Sequence, residues 1–237
     1  MYVEKSLNKE NLDLYLNELA EEYKKLSKEK TPIELIMVGG ASIILNYNFR
    51  ASTGDIDVVV LSSSVIKEAI KKTAAKLGLS HQWLNDDVKN TKSYSKNLSK
   101  VSSLYKIFSN ILEVRKVDAE YLIAMKLMAG RNYKYDLSDI VGIMREHKKN
   151  NKEITLKKID DAIIELYGSW ENITNDIKKF IEMVSKCDNY EKLYQNVREQ
   201  EEKAENGFEE NLEILNNKPE EADEIKILNE INNKLNR

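Results

Sequence analysis

The chain has 237 residues, of which 41% are hydrophobic and 32% charged, with a formal net charge of −3. That length holds one large domain or a core with a smaller appendage, and no stretch approaches the ~20 apolar residues that a membrane-spanning helix needs. A single cysteine, Cys187, excludes an internal disulfide framework and a cysteine zinc site, and two histidines, His81 and His147, leave little for a histidine metal site. The first ten residues lack the apolar core of a signal peptide, so a cytoplasmic location and no membrane contact are expected.

Leu12, Leu16, Leu19, Tyr23 and Leu26 recur at helical steps and predict an amphipathic first helix. After Pro32, the apolar run from Ile33 to Val38 has strand length, Gly39-Gly40 follows directly, and Ala41 to Tyr47 reads as a short helix. The β-branched run from Ile56 to Leu61 predicts a second strand. Ser64 to Leu77 reads as a helix stopped by Gly78. Residues 85–103 are polar and carry Lys89, Lys92, Lys96 and Lys100. Val101 to Phe108 and Ile111 to Val117 predict a hairpin around Ser109-Asn110. A nearly all-apolar helix follows, Tyr121 to Ala129, ended by Gly130, and then another from Asp136 to Lys148. From about residue 152 every segment is helical in pattern, which divides the chain into a core at 1–150 and a helical part at 151–237. Beyond Cys187, 14 acids stand against 7 bases, with apolar residues such as Val197, Ala204, Phe208, Leu212 and Leu215 still at helical spacing.

Two features carry chemistry. Asp55 and Asp57 alternate on a strand, which puts both carboxylates on one face about 7 Å apart. Like charges that close raise each other's pKa unless a cation intervenes, and paired carboxylates with substrate phosphates suit Mg²⁺. Gly39-Gly40, at a strand end and a helix start, offers bare backbone N–H groups for those phosphates. The other feature is Lys126, the only charge between Tyr121 and Ala129. In a helix apolar on every side it either meets an anion or reaches solvent along its stem. Asp136 and Asp139, downstream, read equally as an N-cap and a first-turn acid. No Gly-x-x-x-x-Gly-Lys phosphate loop and no Gly-x-Gly-x-x-Gly fingerprint occurs.

The order Val38-Gly39-Gly40, then Asp55-Ile56-Asp57-Val58-Val59, resembles the signature of the nucleotidyltransferase superfamily. Residues Lys126-Leu-Met-Ala-Gly-Arg131 and Asp136-Leu-Ser-Asp139, with Arg50 and Thr53 ahead of the acid pair, resemble AbiEii-type and related uncharacterised bacterial families over residues 30–148. The resemblance implies an α+β fold: a mixed β-sheet core flanked by helices, here followed by an all-helical C-terminal region. It implies Mg²⁺ on Asp55 and Asp57 and triphosphate on Lys126, with Asp136 assisting the metal or the attacking group. Gly39, Gly40, Ser42 and Arg50 complete the expected nucleotide contacts. Relatives use a third carboxylate from a later strand, and Glu113 stands in the corresponding place here. Gly-Gly where many relatives have Gly-Ser removes a hydroxyl, for which Ser42 is the nearest substitute.

The expected activity is Mg²⁺-dependent transfer of a nucleoside monophosphate from a nucleoside triphosphate. The acceptor is open: RNA, with transfer RNA suggested by a toxin–antitoxin-like setting, a small molecule, or a protein side chain. Lysines 89 to 106, interleaved with Tyr94 and Tyr105, offer one RNA-facing stripe. The C-terminal helices offer a surface for a cognate partner protein or a homodimer. The alternative is a degenerate core that binds nucleotide or a partner without catalysis.

Overall fold

Two short strands carry the same burial pattern, and the one half-exposed position in each is an acid: Glu34 in β1 (Ile33–Met37) and Asp57 in β2 (Ile56–Val60). The computed structural model describes residues 7–28, 31–60, 64–131 and 134–217, with side chains through residue 204 and at 206. Leu61, expected at the end of β2, lies outside the described residues, as do the side chains of Phe208, Leu212 and Leu215.

β1 pairs antiparallel with β2 and parallel with β5 (Leu112–Val117). β4 (Ser102–Phe108) runs antiparallel to β5, and the two-residue β3 (Leu84–Asn85) runs parallel to β2. The strand order β3-β2-β1-β5-β4 makes a mixed five-stranded sheet. The expected hairpin joins β4 to β5, with Ser109 and Asn110 both at positive φ (48° and 55°), the geometry of a two-residue turn that follows the twist of its strands.

One sheet face is covered by α1 (Lys9–Leu26) and α3 (Ser64–Leu77). Their apolar stripes, Leu12, Leu16 and Leu19 with Ile66, Ala69 and Ile70, close over Leu35, Val58 and Val114. The other face carries Ile36, Val38, Val59 and Val117, buried under α4 (Ala119–Ala129) and α5 (Asp136–Lys149). α4 is buried from Leu122 through Met128, as an all-round apolar sequence requires.

α6 (Leu156–Tyr167), α7 (Asn175–Ser185) and α8 (Tyr190–Asn217) complete that layer. Ile159, Ile163, Ile181, Val184 and Val197 belong to the same apolar cluster as Ile36 and Ile140, so one core runs across residue 150. Trp83 is buried at the edge of Tyr15, whereas Trp170 is half-buried and donates its indole N–H to Asp160 at 2.7 Å. No helix among the described residues is long and apolar enough to cross a membrane.

Candidate active site

α2 (Gly39–Asn46) follows β1 after one residue, Val38, which caps it without a side-chain hydrogen bond. The first N–H groups of this helix therefore lack a side-chain acceptor at their cap, where the helix dipole favours anions. Both glycines are required by what stands beside them. A Cβ on Gly39 (φ +58°) would lie 2.8 Å from Asp57 Oδ2, and one on Gly40 would lie 2.7 Å from Thr53 Oγ1 and 2.9 Å from Arg50 Nη2. The Asp57 carboxylate and the Arg50 guanidinium thus fit against bare backbone at one helix start.

The loop carrying Arg50 to Asp55 is pinned at Thr53, which exchanges backbone hydrogen bonds with Leu7 at 2.9 and 3.0 Å. Asp55 is exposed at its end and accepts a hydrogen bond from Asn85 Nδ2 at 3.1 Å. Asp57 follows on β2, half-buried. Burial pushes its pKa up, the neighbouring Asp55 charge adds to the rise, and Lys126 and Arg131 oppose it. Asp55, Asp57, Gly39, Gly40, Arg50 and Lys126 all line one cavity of about 790 Å³.

Lys126 meets anions. Its Nζ lies 2.8 Å from Asp136 Oδ1 and 2.9 Å from Asp139 Oδ2, and all three side chains are buried. Burial works to discharge the ammonium, but Asp139 and Asp136 outweigh it and hold the lysine pKa above its usual value. Burial likewise pushes the Asp136 carboxyl up, and Lys126 and Arg131 reverse this to hold it below the usual range. Arg131 Nε reaches Asp136 Oδ2 at 2.9 Å, and Arg50 Nη1 reaches Asp139 Oδ2 at 2.7 Å. Asp139 Oδ1 is buried with no partner among the described residues. Asp136 is therefore no N-cap: that position belongs to Tyr135, in the left-handed region at φ +57°, and the Asp136 side chain turns inward to the two cations.

Three expected residues do not line this cavity: Asp136, turned inward to its two cations, Glu113 and Ser42. Glu113 shares a sheet face with Asp57 but sits at the far end of its strand. Glu34 stands opposite Glu113 and Met37 opposite Lys116, so the β5 position level with Asp57 falls near Val117. Glu113 instead takes Arg115 Nη1 at 3.0 Å, while Arg115 Nε faces Glu34 at 3.7 Å. The strand register thus sets Glu113 apart from the Asp55–Asp57 pair. Ser42, one turn into α2, is fully buried and its hydroxyl finds no partner among the described residues. It does not line the cavity.

Several residues complete the site without a sequence signal. Tyr135, Lys134 and Asp87 line the cavity, and so does Arg198 from α8, whose guanidinium carbon stands 3.4 Å from the Tyr135 ring centroid. One turn of α8 further on, buried Glu201 accepts from the backbone N–H groups of Leu137 (2.8 Å) and Ser138 (3.2 Å), capping α5 from another helix. Burial pushes the Glu201 pKa up to about 6, against the lowering effect of those hydrogen bonds. Only Asp139 had a readable signal, its place three residues after Asp136 in the first turn of a helix.

Among the described residues no group of three or more histidine, cysteine or acidic side chains is placed to hold a metal. The donor set at the cavity is the Asp55–Asp57 pair. Two oxygen donors, one of them raised in pKa by burial and then by the other's charge, suit a hard divalent cation that fills its remaining positions with phosphate and water.

No curated protein and no solved structure matches the chain. The family described as nucleotidyltransferase of unknown function (DUF6036) matches residues 15–198, a span that takes in both the Gly-Gly and Asp-x-Asp elements and the first turns of α8. On that match, which covers most of the chain, the protein belongs to this nucleotidyltransferase family.

Proposed function

We propose that the chain transfers a nucleoside monophosphate from a nucleoside triphosphate to an acceptor hydroxyl and releases pyrophosphate. The observation that carries this is the packing of Asp57 against Gly39, which sets an acid pair and an open helix N-terminus on one cavity. The helix start and its N–H groups suit the phosphates, and Asp55 and Asp57 suit Mg²⁺. When bound, Mg²⁺ would draw charge from the phosphates. The acceptor oxygen attacks the α-phosphorus, the bond to the bridging oxygen of pyrophosphate breaks with its electron pair, and the acceptor proton leaves to solvent.

Lys126 and Arg50 do a different job in this reading from the one their positions in the sequence imply. Each is committed to a carboxylate, so they set the positive potential behind the cavity and hold its wall in shape. RNA, transfer RNA included, is the acceptor class in keeping with the AbiEii-type resemblance and its toxin–antitoxin setting. Lys92, Lys96 and Lys100 are exposed, as an RNA-facing stripe requires, while Lys89 and Lys106 are tied to Asp86 and Asp13. A second reading, nucleotide or partner binding without catalysis, draws on the acid set of two rather than three.

The test incubates the protein with Mg²⁺, each α-labelled nucleoside triphosphate and total RNA, beside an Asp55→Ala/Asp57→Ala variant. Label on RNA or on the protein in the wild type alone supports transfer and names the nucleotide. Nucleotide binding with no transfer to any acceptor supports the second reading, and absence of nucleotide binding sinks both.

A further inference from the structure

The cations of the cavity divide by their commitments. Lys126 lies between Asp136 and Asp139, Arg50 bonds Asp139, and Arg131 bonds Asp136. Three positive groups are thus held by two buried carboxylates. In these three, a polyphosphate entering the cavity meets cations already bonded to carboxylates, and Lys134, which also lines it, is an exposed side chain with no aromatic partner among the described residues.

Arg198 is placed differently. Its Nε donates to Glu202 at 3.1 Å, a pair in which Glu202 is half-exposed and therefore screened by solvent. Its terminal nitrogens make no hydrogen bond among the described residues. The guanidinium carbon lies over Tyr135, at 3.4 Å from the ring centroid, and Arg50 approaches the same ring at 6.0 Å. A planar fork stacked on an aromatic ring keeps both terminal nitrogens for a bidentate contact and loses little freedom on binding. The stack is braced from both sides. Tyr135 occupies a left-handed conformation that a bulky residue adopts only under constraint, and Glu201, three residues after Arg198, locks α8 onto the α5 N-terminus that begins beside Tyr135.

We propose that Arg198 is a polyphosphate ligand of this cavity, held in its binding pose by Tyr135, and that α8 is accordingly part of the nucleotide site. The proposal rests on the nucleotidyl-transfer reading above. It gives the last described helix a direct role in substrate binding, through a residue distant in sequence from the Gly-Gly and Asp-x-Asp elements.

The test is calorimetric titration of the full chain with inorganic tripolyphosphate and Mg²⁺, for wild type, Arg198→Gln, Arg198→Lys and a charge control, Lys192→Gln, which is exposed on α8. Loss of one charged hydrogen-bonding group should weaken tripolyphosphate binding by about tenfold or more in Arg198→Gln. Arg198→Lys should recover part of the loss, because it restores the charge without the fork. Lys192→Gln should bind as the wild type does. Equal binding by Arg198→Gln and wild type overturns the proposal while leaving the nucleotide reading intact, and absence of binding by the wild type overturns both. Should Arg198→Gln unfold, Glu202→Ala replaces it: releasing Nε should tighten binding, and unchanged binding counts against the role.

Discussion

Two groups of carboxylates stand at this site, and they are built on opposite terms: Asp55 and Asp57 line the cavity, whereas Asp136 and Asp139 lie behind its lining residue Lys126. Asp55 and Asp57 sit at a strand start, one exposed and one half-buried, and neither forms an ion pair among the described residues. Asp136 and Asp139 sit at a helix start, fully buried, with Lys126, Arg50 and Arg131 bonded to them. An open, uncompensated pair is arranged to receive a positive group from outside. A closed, charge-compensated cluster is arranged to hold its own elements together. Proximity to a cavity is common to both, so position alone does not separate a ligand from a strut; the partners do.

Each side of that comparison can be broken separately. The largest effect is expected from Asp55→Ala/Asp57→Ala, which should reduce nucleotidyl transfer to background in the labelled-nucleotide assay. Its urea midpoint should not fall, because the change removes like charges that oppose each other. Retained transfer would remove the acid pair from the mechanism. Asp136→Ala should do the reverse to stability: stripping a buried carboxylate from Lys126 and Arg131 is expected to cost about 3–5 kcal/mol in urea unfolding. A loss under 1 kcal/mol would mean that the cluster is not the strut described here.

Smaller effects sharpen the boundary between the two groups. Gly40→Ala forces a methyl toward Thr53 and Arg50, and overpacking of this kind is expected to cost about 1–3 kcal/mol and to disturb the Arg50–Asp139 contact. The same substitution at Gly54, where a Cβ would meet nothing within 4 Å, is the matched control and should leave stability nearly unchanged.

The least expected effect is one of pH. The folded-state pKa of Glu201, about 6, lies above the ordinary glutamate value of 4.5. The proton is therefore bound more tightly in the folded chain. This group's stabilising contribution is present in full below pH 4.5 and is lost as pH rises through 6. Its size is at most about 2 kcal/mol. Stability curves for wild type and Glu201→Gln should draw apart across that window, with the wild type falling relative to the variant as pH rises. Parallel curves would show that Glu201 does not titrate there.

The sequence pattern displayed most of the sheet, because alternation and the Ser109-Asn110 turn are local properties. It displayed the acid pair for the same reason: two acids one residue apart on a strand must share a face. Glu113 shows where this stops. Which residue of β5 stands level with Asp57 depends on the pairing of three strands, and no local pattern fixes that offset. Lys126 was legible as a buried charge needing an anion, but whether that anion was substrate or protein was not. Arg198 and Glu201 had no signal at all, since they read as ordinary charges on an acid-rich helix and acquire meaning only where α8 meets α5. Apolar spacing continued past residue 150 without showing which surface it would cover, and the single core beneath it follows from that contact.

The isolated bridge between Leu7 and Thr53 links the segment just before α1 to the candidate-site loop. Two backbone hydrogen bonds staple the site loop to the segment just before α1, and the Leu7 side chain is buried beside it. Leu7 is thus a fastener for the loop that carries Arg50, Thr53 and Asp55. A change at Leu7 therefore reaches the candidate-site loop through the backbone rather than through the cavity.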